Sequence, residues 1–145
     1  MRNRCISITL SMVMGLLTIQ GVALAHGTEK HGKTAPSAAQ MKKLHGMMPM
    51  FSVASAKLET ALDKGDVATV EVEAGKIMAV LPDLKKSKPH KNVKQRKKFV
   101  ELATDFEKTV ASTLDLTKSG DIAGAKTAFK KAEEICAACH AKFRD

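Results

Sequence analysis

Residues 119–145 read SGDIAGAKTAFKKAEEICAACHAKFRD. Gly120-Asp121 is a helix stop followed by a helix start. Glycine accepts the left-handed backbone that closes one helix, and an aspartate directly after it caps the next. From there Ile122, Ala125, Phe129, Ala132, Cys136 and Cys139 recur at steps of three and four, which puts them on one helix face.

The same corner occurs earlier, at Lys64-Gly65-Asp66. GDVA at 65–68 and GDIA at 120–123 read as equivalent bends of two helical hairpins, a weak internal repeat. Three more stripes have helical spacing. They are Met41, Leu44, Met48, Phe51, Ser55, Leu58 and Leu62; Val70, Ala74, Ile77 and Leu81; and Phe99, Ala103, Phe106, Val110 and Leu114. No period-two run of β-branched residues competes with them. Pro82 is expected to stop the second helix, PDLKKSKPHK (82–91) to cross between hairpins, and Asn92 to cap the third helix. Pro49 either bends the first helix or opens a new one. Four stripes on two short-cornered hairpins predict an all-α, antiparallel four-helix bundle over residues 38–145.

The N-terminus sets the compartment in which those cysteines act. MRNRCISITLSMVMGLLTIQGVALA (1–25) has a basic start at Arg2 and Arg4, an apolar centre, and small residues at Ala23 and Ala25. That is the form of a cleaved signal peptide, so a periplasmic protein with no integral membrane span is expected. Loss of Arg2 and Arg4 lowers the formal charge from +9 to +7, and Cys5 departs with them. HGTEKHGKTAPS (26–37) has no apolar period and reads as a flexible leader. The remaining length, about 120 residues, is that of one domain. With no Trp, no Tyr and five Phe, its core is thin in aromatic side chains, and a large buried cofactor would help to fill it.

Cys136-Ala-Ala-Cys139-His140 has the form of a c-type haem attachment site. Two thiols must reach two vinyl groups while a neighbouring imidazole takes the iron. On a helix, residues at i, i+3 and i+4 meet that need within one turn. A redox dithiol would sit at a helix N-terminus, where the dipole lowers the thiol pKa, whereas this pair is near a C-terminus. A four-ligand zinc site would need a second Cys or His pair, which the spacing does not supply.

A signal peptide, four helices and one C-x-x-C-H near the C-terminus resemble the class II c-type cytochromes, that is, cytochrome c-prime and its low-spin relatives. Phe143 and Arg144 resemble the aromatic and Arg that follow the haem histidine in that family. The resemblance implies one covalently bound haem c on Cys136 and Cys139, with His140 as proximal iron ligand. It also implies that two copies can pair through the first two helices. In low-spin members a Met of the first helix is the sixth ligand and the protein carries electrons. In cytochrome c-prime that position is apolar, and iron is open to NO or CO.

Here the first helix carries LHGMMPMF (44–51). On the stripe as read, Met48 and Met41 face the core, with Met47 and Met50 at its flanks. Met48 is the preferred distal ligand because Pro49 frees the chain beside it. MK at 41–42 offers Met41 as another candidate, and His45 a second kind of ligand. His90 is expected to be solvent-exposed in the crossing.

From Lys85 to Lys98 there are eight Lys or Arg and no acid. Such a run suits docking of an acidic redox partner. Nucleic acid is excluded by export and by the absence of interleaved aromatics. The expected function is a periplasmic single-electron carrier that turns over no substrate. The alternatives are a five-coordinate NO/CO-binding protein, and a copper-binding protein using His26, His31, His45 and the methionines, whose thioethers favour Cu(I).

Overall fold

The computed structural model describes residues 36–144. The signal peptide read at 1–25 and nearly all of the leader at 26–37 lie outside the described residues. Four helices are present among the described residues: α1 (Ala38–Lys64), α2 (Val67–Lys86), α3 (Arg96–Lys118) and α4 (Ile122–Phe143), with a 3₁₀ turn at Val93–Gln95 before α3. There is no strand among the described residues. The all-α four-helix bundle predicted from the stripes is the fold observed. None of these helices is long and apolar enough to cross a membrane.

The two corners are built alike, hydrogen bond for hydrogen bond. Gly65 (φ 66°) and Gly120 (φ 84°) take the left-handed backbone that glycine adopts without steric cost. Gly65 N donates to Leu62 O and Asp66 N to Ala61 O; Gly120 N donates to Thr117 O and Asp121 N to Leu116 O. The aspartates then cap α2 and α4, accepting from Thr69 N (3.1 Å) and Gly124 N (2.8 Å). The GDVA/GDIA repeat is therefore a repeat of backbone geometry. At the start of α1, Ser37 and Gln40 form a reciprocal capping box.

All five phenylalanines are buried, together with Leu58, Leu62, Val70, Ala74, Ile77, Leu81, Val110, Ala125 and Ala132. α1 packs on α2, α2 on α3 and α3 on α4; the α1–α4 flank is the least closely packed of these neighbouring pairs. Phe99 of α3 meets Phe143 of α4 edge-on at 5.3 Å, and Phe51 of α1 meets Phe106 of α3 at 5.9 Å.

Four expectations are corrected. The α1 stripe takes its three-residue and four-residue steps in the opposite order: Leu44, Met47, Phe51, Ala54, Leu58 and Ala61 are buried, with Met48 half-buried and Ser55 at the margin. Pro82 does not end α2, which runs to Lys86. The missing N–H costs one hydrogen bond, but the extra turn buries Leu84, and Ser87 closes it through N–H and hydroxyl bonds to Asp83 O. Asn92 does not cap α3; it precedes the 3₁₀ turn and gives it no side-chain cap bond. It adopts φ 55°, and its Nδ2 donates to Lys142 O at 2.7 Å, while Lys91 N donates to Phe143 O. In α3, Thr113 and Thr117 are buried and Leu114 only partly so, because each threonine hydroxyl is satisfied by the carbonyl four residues back.

Candidate haem site

Cys136 and Cys139 lie in the last two turns of α4, both free thiols, half-buried and packed against the core. On a helix each residue turns about 100°, so Cys136 falls in line with Phe129, Ala132 and Phe143, while Cys139 and His140 lie on opposite flanks of that line. The surface follows this arrangement: His140 is exposed. His140 therefore stands at the rim of the bundle and not in its interior.

Burial governs the chemistry of all three. It pushes the Cys136 thiol up to about 11, with smaller contributions from Cys139 and Glu133. It also raises the Cys139 thiol. Burial, and then the nearby Arg144 charge, hold the His140 pKa below its ordinary value. At neutral pH the motif therefore offers two uncharged thiols and a neutral imidazole. That is the opposite of an activated dithiol, whose attacking cysteine has a lowered pKa. Zinc has no set to complete it, since no cluster of three or more His, Cys, Asp or Glu able to hold a metal occurs among the described residues. Thiols and imidazole within one turn do fit a haem held by thioethers with iron on the imidazole.

The level of the motif within the bundle follows from the ring contacts. Phe99 meets Phe143; two turns up α3 is Phe106, and two turns back along α4 is Cys136. Phe106 in turn touches Phe51 of α1. The Met-rich segment just before Phe51 is therefore level with the C-x-x-C-H turn. Met47 is 7 % exposed and part of the core; Met48 and Met50 are half-buried against it, and Met41 is half-buried a turn and a half earlier.

Neither His45 of α1 nor His90 of the crossing faces that core. His45 is exposed, and its Nε2 lies 2.9 Å from Nε2 of His90, which is half-buried against it instead of standing free in solvent. Arg96 was not singled out by the sequence except as one charge in a basic run. Its guanidinium lies over the Phe99 ring, donates through Nη2 to Lys85 O, and has Nη1 buried without an acceptor. Surface grooves between α3 and α4 are lined by residues such as Lys108, Ser112, Leu116, Thr127 and Lys131, none of them part of the motif.

A helical bundle with a C-x-x-C-H turn on its last helix is the architecture of a c-type cytochrome. Residues 83–144 match the family described as Cytochrome C′, a class II c-type cytochrome family, to which this C-terminal part of the chain is similar. The family implies a covalently bound c-type haem. The match begins at Asp83, so α1 with its methionines lies outside it. No curated protein and no solved structure matches the chain.

Proposed function

We propose that the protein is a periplasmic monohaem electron carrier, without substrate turnover, in which Cys136 and Cys139 hold the haem and His140 is the proximal ligand. The observation that carries this reading is the C-x-x-C-H turn, with its uncharged thiols, level with a methionine segment on the facing helix. When bound, haem c supplies a one-electron Fe(III)/Fe(II) couple whose potential a Met ligand raises. Phe51 and Phe106 wall the site and keep water from it. Met48 remains the proposed distal ligand, because a half-buried thioether at the core margin can turn without emptying the core. Met47, already buried, is the second candidate.

The basic crossing is the proposed docking face for an acidic redox partner. Lys85 and Lys98 are engaged with Glu107 and Glu101, but Lys86, Lys91, Lys94 and Lys97 are exposed. Pairing of two copies through α1 and α2 would cover Val53 and Val72, each 56 % exposed. Sedimentation of the wild type against Val53→Lys tests it, and identical monomeric behaviour would end that idea.

Absorption spectra of haem-loaded protein, oxidised, reduced and reduced under CO, test the main reading. Sharp low-spin bands indifferent to CO are expected, and Met48→Ala should open the iron to CO. If Met47→Ala does so instead, the ligand is Met47. Broad high-spin bands shifted by CO in the unmodified protein would support the gas-binding alternative. Absence of covalent haem would sink both.

A further inference from the structure

His45 and His90 meet where α1 passes the crossing between the hairpins. Their Nε2 atoms are 2.9 Å apart, their ring centroids 4.8 Å apart and their planes inclined by 18°. The centroid spacing is little less than the nitrogen gap plus both ring radii, so the imidazoles meet nearly end to end through Nε2. In the neutral pair one Nε2–H donates to the other Nε2. Two imidazole nitrogens thus converge on one point at the surface, from a fixed helix on one side and non-helical backbone on the other.

We propose that His45 and His90 form a surface site for a divalent transition-metal ion of the kind that prefers imidazole, Zn²⁺ or Cu²⁺, with solvent completing the coordination. Zinc–nitrogen bonds of about 2.0–2.1 Å in tetrahedral array place two nitrogens roughly half an ångström farther apart than they are here. Buried Pro89 and the bond from Lys91 N to Phe143 O hold the backbone on either side of His90, so rotation of the two side chains supplies that half-ångström. The ring that donates its Nε2 proton transfers it to its own Nδ1, so both rings remain neutral and no proton is released on balance. Lys42, Lys43, Lys88 and Lys91 are close in the chain to the two histidines and weaken the attraction for a cation. Asp83 offsets part of this by pairing with Lys43 at 3.1 Å. A modest affinity follows. The site is separate from the C-x-x-C-H turn and does not depend on the haem reading.

The test is titration of the haem-containing protein with Zn²⁺ in competition with a chromophoric chelator, zinc being redox-silent toward haem. One ion per chain is expected. His45→Ala and His90→Ala should each weaken binding by about tenfold or more, whereas a His26→Ala, His31→Ala double variant should retain it. Ring ¹⁵N spectra of the unmodified protein supply a readout free of folding effects: the Nε2 resonances of both histidines should move on adding zinc. No zinc uptake, binding undiminished in both alanine variants, binding lost only in the double variant, or immobile Nε2 resonances would each overturn the site.

Discussion

The ring of Phe51 on α1 stands edge-on to the ring of Phe106 on α3, centroids 5.9 Å apart and planes at 83°, joining two helices that are not neighbours around the bundle. The contact lies at the level of Cys136 and so forms part of the wall behind the C-x-x-C-H turn. Phe51→Ala and Phe106→Ala should each cost about 3–5 kcal/mol. A double-mutant cycle by denaturant titration should show a coupling of about 0.5–1.5 kcal/mol. A coupling of zero would mean that the rings share a core without recognising each other.

Thiol reactivity gives a sharp pH dependence. Burial penalises the Cys136 thiolate, so in folded, haem-free protein its alkylation should be slow at neutral pH and climb as pH rises through about 11. The unfolded chain ionises its thiols earlier. Stability from this group is therefore complete below the ordinary thiol pKa and falls as pH rises toward about 11. Fast labelling of Cys136 at neutral pH, with helix content intact, would contradict the burial described.

The corners make a third case. Gly65→Ala and Gly120→Ala force an L-residue into left-handed backbone and should each cost about 1–2 kcal/mol in thermal or denaturant unfolding. Asp66 adds a pH signature: its hydrogen bonds with Thr69 hold its carboxyl below the usual range. Its cap is fully effective at neutral pH and is lost as pH falls through that lowered value. Asp66→Asn should flatten this part of the acid limb; an unchanged limb would remove the cap from the account.

Pro82 is exposed within α2 and denies Met78 its helical donor. Pro82→Ala restores that bond and should stabilise the fold by about 1–3 kcal/mol. A lower melting temperature would instead assign Pro82 a role in shaping the crossing.

What could be read from the chain beforehand was whatever is decided locally. Gly-Asp corners, the helical placement of C-x-x-C-H and the stripes of α2 and α4 depend on residues a few positions apart, and those features are found in the fold. The phase of α1 was not legible, because three-then-four and four-then-three steps both fit a helix of 3.6 residues per turn; packing against α2 and Phe106 settles it for Met47. The continuation of α2 through Pro82 depends on burying Leu84, and the His45–His90 contact joins residues forty-five apart. Neither leaves a local trace. The Ser37–Gln40 capping box does leave one, the S-x-x-Q pattern, beside a stretch without apolar period.

The bonds from Asn92 and Lys91 to Lys142 O and Phe143 O act as a latch over the final turn of α4. Fraying of that turn is therefore tied to opening of the crossing loop fifty residues earlier. Amide hydrogen exchange in 88–92 should rise and fall with that in 140–144. Proteolytic trimming after Ala141 would leave the Asn92 amide without its acceptor and would be felt at His90 as much as at His140.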